Sequence, residues 1–341
     1  MTPADLLTPA AALALLADGL DDTVLGALAD RPVVALDLSA PIDAAVVARL
    51  SIALAGAPCV VLGVAPAPII DPVVEELLDV AVCTGPTAPA PWVACGDELD
   101  AEVARLVDAV RASPAASVVL VQLLRAGALA TPADAVVAES LAYSLLQGGA
   151  SHRAWLEGRA DRIRHPRPDA PVVRLDRGDA TLTVVLDRPE VRNAYGTRMR
   201  DELVDAFRLV AADPTIERVV LAARGTSFSS GGDLDEFGTA PAPLDAHLVR
   251  TTRNAGMALA AIADRVEVHV HGPCVGAGVE LPAFAGRVVA DPATSFLLPE
   301  IAMGLIPGAG GTASIPRRIG RHRTAHLALA GRPLDAPTAL A

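Results

Sequence analysis

No lysine occurs anywhere in this 341-residue chain; all 28 basic residues are arginine. That excludes a lysine Schiff base, and it excludes the lysine of a phosphate-binding P-loop. Aromatic side chains are also scarce, at 3%, so a core must be packed from Ala, Val and Leu. Acids outnumber bases, 40 to 28, and the net charge of −12 repels nucleic-acid phosphates. The four cysteines, Cys59, Cys83, Cys95 and Cys274, form no C-x-x-C pair. Buried free thiols in a reducing compartment are therefore expected. No apolar run reaches membrane-spanning length without a proline or a charge. The opening "MTPADLLTPAAALALLADGLDD" starts acidic rather than basic and reads as a short helix, not a signal peptide. These absences lead to the expectation of a soluble cytoplasmic protein that binds neither membrane nor nucleic acid.

The charged, proline-punctuated stretch "EGRADRIRHPRPDAP", 157–171, divides an N-terminal region, 1–160, from a C-terminal one, 161–341. The second region opens with a hairpin signal, two alternating apolar runs around "DRGDA". "TRMRDELVDAFRLVAAD" follows with Met199, Leu203, Phe207 and Val210 on one helical face. A buried strand "ERVVLAA", a glycine-rich loop, a helix over 245–264 and a strand "RVEVHVHG" come next. Alternating strands and helices predict an α/β fold with helices covering a sheet. The N-terminal region repeats this rhythm: 31–66 reads strand, helix, strand, and 102–112 and 133–156 read as helices. It reads as a degenerate relative of the second region, or as a scaffold of similar topology.

Two glycine-rich loops, "FSSGGDLDEF" (228–237) and "HGPCVGAGVEL" (271–281), each follow a strand. Such turns expose backbone N–H groups, and two facing turns can aim one N–H each at a single oxygen, forming an oxyanion hole. Between 272 and 311 the only acids besides Asp291 are Glu280 and Glu300, set among apolar residues. A buried carboxylate is costly unless paired or employed. Acid–base chemistry is one way to employ two of them.

Together with "LDRPEVRNA" and "LLPEIAMGLIPGAGGTASIPRRIG", these loops resemble the crotonase superfamily, the enoyl-CoA hydratase/isomerase enzymes, from about Val172 onward and in the family's motif order. The resemblance implies a crotonase-like fold of repeated ββα units, here with an N-terminal α/β and helical extension. It also implies an acyl-CoA thioester substrate, no cofactor beyond the coenzyme A carried by that substrate, no metal, and homo-oligomers, trimers or hexamers. Carried over by position, the oxyanion donors are the N–H groups of Gly232 and Ala277, the latter reinforced by a helix dipole. The catalytic acids are Glu280, for water activation, and Glu300, for proton exchange at the α-carbon. Substrate contacts fall at Ala194, Ser230, Gly231, Asp233, Leu234, Gly276 and Gly308. Two glutamates favour enoyl-CoA hydration, or the reverse dehydration. The alternatives are double-bond isomerisation, a cofactor-free oxygenation of the same fold, or a non-catalytic CoA-binding or assembly subunit.

The sequence departs from the family in four places. Asp235 stands where many relatives carry a basic residue, and Ala277 replaces a common glycine, which is harmless at negative φ. Pro282 sits early in the catalytic helix and is expected to loosen it. The resemblance stops at "GRPLDAPTALA", before the family's usual closing strand and helices. Residues 133–159 resemble that closing helical segment moved ahead of the core, and are expected to cover the pocket of their own chain or of a neighbour through Leu141, Leu145 and Trp155. A metal site at His269, His271 and Cys274, and a serine nucleophile at Ser229 or Ser230 beside His271, are set aside for want of matching motifs. "RRIGRHR", 317–323, reads as a solvated helix face or an attractor of CoA phosphates.

Overall fold

Residues 6–17, 31–127, 130–159, 165, 169–240 and 242–340 are described by the computed structural model of the chain. Its contacts divide it into two compact units, Met1–Leu129 with Pro316–Gly331, and Ala130–Ile315 with Arg332–Ala341. The division falls between 129 and 130, not in the proline-punctuated stretch 157–171. Of that stretch, 160–164 and 166–168 lie outside the described residues.

The first unit begins with α1 (Pro9–Ala17), the short helix expected near the N-terminus. It continues through β1 (Val33–Asp37), α2 (Ala44–Leu54), β2 (Val60–Ala65), α3 (Pro72–Leu77), β3 (Val80–Cys83) and β4 (Val93–Ala94). The four strands lie in chain order and pair in parallel. Every residue of β2 and β3 is buried, which is why these strands read as unbroken apolar runs rather than alternating ones. Asp43 and Asp71 accept backbone N–H bonds at the starts of α2 and α3 and so satisfy orphan donors there. Two helices close this stretch, α4 (Leu99–Ala112) and α5 (Pro114–Gly127). The second was not anticipated, because its "VVLV" run carries no helical period. The "RRIGRHR" cluster is divided: Arg317 and Arg318 are exposed, whereas its later arginines are tied to backbone carbonyls. Arg321 donates to the carbonyls of Leu78 and Glu76, and Arg323 to those of Ala88 and Trp92.

The second unit opens with α6 (Pro132–Gln147) and α7 (Ala150–Glu157), followed by the expected hairpin of β5 (Val173–Gly178) and β6 (Thr181–Leu186). Next come α8 (Thr197–Ala212) and β7 (Arg218–Ala223). Met199, Leu203, Phe207 and Val210 of α8 are all buried, as the periodicity predicts. The helix expected over 245–264 is two: α9 (Pro243–Thr252) and α10 (Ala255–Ala260). Asn254 breaks it, accepting the Met257 N–H with its side chain to cap a new helix. The chain continues through β8 (Val266–Val270), β9 (Pro273–Val275), α11 (Ala277–Glu280), β10 (Arg287–Ala290), β11 (Ser295–Leu297) and α12 (Gly311–Ser314). It passes through α13 (Pro316–Ala330), which belongs to the first unit, and ends in β12 (Leu334–Asp335) and a short terminal helix. The main sheet has the order β10-β8-β7-β6-β5, parallel except for the β5–β6 hairpin; a smaller sheet runs β12-β11-β9. The first unit's sheet follows the same sequential parallel path as β6, β7, β8 and β10.

Candidate active site

The two glycine-rich turns meet. Ser229 bridges Cys274, and the Val275 N–H donates to the Ser229 carbonyl. Next along, a Cβ on Gly231 would stand 2.8 Å from the Val275 carbonyl oxygen, and one on Gly276 would stand 3.7 Å from the Gly231 Cα. Both glycines have positive φ, +85° and +48°, so only glycine brings the strands so close without strain. The residue after each is a candidate oxyanion donor. Among the described residues, neither the Gly232 nor the Ala277 N–H donates to a protein acceptor. Ala277 opens α11 and is not among the positive-φ residues, so its side chain is tolerated. Pro282 ends the helix after four residues, and a 3₁₀ turn over Pro282–Phe284 follows. One turn sums few peptide dipoles, so the expected dipole contribution gives way to the N–H itself.

The loop between β6 and α8 braces the first turn. Arg192 and Asn193 adopt left-handed conformations, with φ of 55° and 54°. The buried Asn193 side chain accepts the Arg188 N–H and donates to the carbonyls of Arg224 and Ser227. Ser229 Oγ donates to the Asn193 carbonyl and Ser230 Oγ to that of Val191, so both hydroxyls serve the loop. Asp233 forms a buried ion pair with Arg188 at 2.5 Å; its N–H donates to the Tyr195 carbonyl and its carbonyl accepts the Glu236 N–H. Leu234 follows in the same turn, partly buried, and Ala194 is buried behind it. Asp235 is held by the His165 N–H and ring at 2.8 Å. His269 pairs with Glu267 and His271 with the Gly225 carbonyl, both away from the turns' amides.

Glu280 and Glu300 converge on this place. A Cβ on Gly276 would lie 2.5 Å from Glu300 Oε1, which puts that carboxyl against the second turn. Glu300 Oε2 is enclosed and has no hydrogen-bond partner. Burial, then the charge of Glu280, pushes the Glu300 carboxyl well above the usual carboxylate range. Glu280 is buried and its Oε2 accepts the N–H groups of Ala309 at 2.7 Å and Gly311 at 2.8 Å. Burial raises its pKa to about 7, against the lowering effect of those two bonds. The two acids thus sit in one enclosure with unequal proton affinities.

A third carboxyl stands beside them that the sequence did not single out. Glu139, on α6, is buried; its Oε1 accepts the Gly310 N–H and its Oε2 the Thr312 N–H and Oγ1–H. Burial, then the Glu280 charge, raises it to about 8. One turn on, the Tyr143 ring covers Gly308, where a Cβ would come within 2.4 Å of it. The α6 helix, expected to cover the pocket, instead packs against the segment 308–312 through Glu139 and Tyr143. Leu141 and Leu145 are 55% and 70% exposed, on the opposite face of α6. Trp155 of α7 packs on Phe237, and Phe237 lies 2.9 Å from where a Gly232 Cβ would stand. Only a lone glutamate in an apolar helix could have flagged Glu139.

Residues 176–341 match the sequence model of the family described as enoyl-CoA hydratase/isomerase. The chain is similar to 2,3-dehydroadipyl-CoA hydratase of Escherichia coli (strain K12), 33% identical over 48% of this chain and 64% of that one. It is likewise similar to 1,2-epoxyphenylacetyl-CoA isomerase of the same organism, 34% identical over 46% of this chain and 62% of that protein. Trans-2-decenoyl-[acyl-carrier-protein] isomerase of Streptococcus mutans is 34% identical over 49% of this chain and 64% of that protein. The chain thus spans somewhat less than two thirds of the length of these relatives. A crystal structure of enoyl-CoA hydratase from Mycobacterium smegmatis aligns with 30% identity and a TM-score of 0.46 over 50% of this chain and 66% of that one. Residues 176–341, just under half of this chain, thus match the enoyl-CoA hydratase/isomerase family, the crotonase superfamily, in sequence model and in motif order.

Proposed function

We propose that this protein acts on acyl-CoA thioesters and adds water across the 2,3 double bond of a 2-enoyl-CoA, or removes it in reverse. The observation that carries this reading is the enclosure holding Glu280 and Glu300 beside the two undonated amides of Gly232 and Ala277. In this reading the thioester carbonyl oxygen accepts both N–H groups, which stabilise the negative charge as C3 is attacked. Glu280, poised near neutrality, takes a proton from water as its oxygen bonds to C3. Glu300, the stronger proton holder, delivers a proton to C2 as the enolate collapses, so the sum of the step is the addition of one water. Two carboxyls pushed to different proton affinities suit a base and an acid working together. Ala194, Ser230, Gly231, Asp233, Leu234, Gly276 and Gly308 would pack around the thioester. Homo-oligomeric assembly, a trimer or hexamer, belongs to the same reading and is checked by light scattering.

Isomerisation is the second reading, favoured by the two similar isomerases; it needs only one carboxyl to shuttle a proton between C2 and C4. Purified protein offered crotonyl-CoA, longer enoyl-CoAs and aromatic enoyl-CoAs separates the possibilities. Loss of the enoyl absorbance with a 3-hydroxyacyl product supports hydration, and a shifted double bond supports isomerisation. Thioester binding without turnover of any of them would sink both and leave a binding subunit.

A further inference from the structure

The segment Ala309–Thr312 has four consecutive amide N–H groups, and they are divided alternately between two carboxylates. Those of Ala309 and Gly311 go to Glu280, and those of Gly310 and Thr312 to Glu139. All four bonds are 2.7 to 2.8 Å long. On its acceptor side the Gly310 carbonyl takes the N–H groups of Ala313 and Ser314, and the Gly311 carbonyl that of Ile315. Gly310 has φ of +106°, a conformation that side chains rarely adopt, and α12 beyond it is a single turn. Glu280 lies so close that a Cβ on Gly311 would be 2.8 Å from its Oε2. A shift of the segment therefore moves the donors that aim Glu280. Glu139 comes from far upstream on α6, is fixed by a third bond from Thr312 Oγ1 at 2.7 Å, and sits on a helix whose next turn packs Tyr143 on Gly308.

We propose that Glu139 is the positioning residue for Glu280: by holding the amides of Gly310 and Thr312 it fixes the intervening amides that orient the Glu280 carboxylate. Glu139 need not touch substrate to do this. Its bonds go to the Gly310 and Thr312 amides and to the Thr312 hydroxyl. Its role at this site rests on the hydratase reading, whereas the positioning of the 309–312 amides does not. The helix that carries it is the one that resembles the family's closing segment, so this chain builds part of its catalytic support from residues ahead of the core.

The test uses the full chain with Glu139→Gln, whose side-chain NH2 cannot accept both amides, and Thr312→Val against Thr312→Ser. With crotonyl-CoA, Glu139→Gln is expected to lower kcat about 10- to 100-fold and to leave KM within about twofold. Hydrogen exchange at amides 309 and 311, which Glu139 does not touch, is expected to accelerate alongside. Thr312→Val should show a smaller loss of the same kind, and Thr312→Ser, which keeps the hydroxyl donor, should match wild type. A folded Glu139→Gln protein with wild-type kcat and wild-type exchange at 309 and 311 overturns the proposal. So does a loss in which kcat, KM and exchange across the whole unit change together, as a merely structural role would give. If Glu139→Gln does not fold, the Thr312 pair decides by the same criteria. Should wild type turn over no enoyl-CoA, the hydratase reading fails, while exchange at 309 and 311 still supports or overturns the positioning.

Discussion

Glu280 and Glu300 have the same chemistry but different environments. Two amide bonds offset the burial of Glu280, whereas Glu300 carries an enclosed, unpartnered oxygen and faces a neighbouring charge. Their replacements should therefore separate. Glu280→Gln should lose hydration by about 10²- to 10⁴-fold, the usual range for a general base. It should keep exchange of the α-protons of a saturated acyl-CoA with deuterium oxide. Glu300→Gln should lose both, and equal exchange in the two variants would refute the division of roles. With Glu280 near 7, kcat/KM for hydration should fall about tenfold per pH unit below neutrality; a profile flat down to pH 5 would contradict its use as a base. Both acids and both turns were legible in the sequence because their motifs are short and contiguous. Glu139 was not, since its partners lie 171 and 173 positions away and a single acid on a helix ordinarily faces solvent.

At the scale of elements, α6 was read correctly as a helix, but the side it buries was misjudged. Apolar residues were taken as the inward face, yet Leu141 and Leu145 lie outside while Glu139, Tyr143 and Leu146 are buried. A helix lining a polar enclosure reverses the usual reading of amphipathicity. The contact of Tyr143 with Gly308 provides a direct check. Gly308 is not among the positive-φ glycines, so alanine is conformationally allowed there and the objection is only its 2.4 Å approach to the ring. Gly308→Ala should destabilise the protein by roughly 1–3 kcal/mol through overpacking, measured by urea unfolding. Combined with Tyr143→Ala, it should add little or nothing to that variant's own loss. Strictly additive losses would mean that the ring yields freely. The broken helix at Asn254 and the shortened α11 were hidden for different reasons: Asn254 looked like one polar residue in an otherwise periodic run, whereas Pro282 was visible and did what a proline does.

On the scale of the whole molecule, three buried carboxyls in one unit make folding depend on pH in an unusual direction. In the unfolded chain such groups ionise near their ordinary value of 4.5, whereas in the folded protein Glu280 keeps its proton to about 7 and Glu139 to about 8. Between those limits the folded state binds more protons than the unfolded one, so raising the pH favours unfolding. Their contribution to stability is therefore fully present below about pH 4.5 and is lost as the pH rises through 7 and 8. Each such proton gives a slope of about 1.4 kcal/mol per pH unit. Surface carboxylates with lowered values, such as Asp213 and Glu267, act only at the acidic end, where they oppose this trend. Tm measured from pH 5 to pH 8.5 should accordingly decline in the wild-type protein. Glu139→Gln should flatten the decline by one proton's worth, because glutamine has nothing to ionise in either state. A wild-type Tm that rises from pH 5 to pH 8 would show that the three carboxylates are already ionised in the folded enclosure. Glu300 could then not serve as the proton donor to C2.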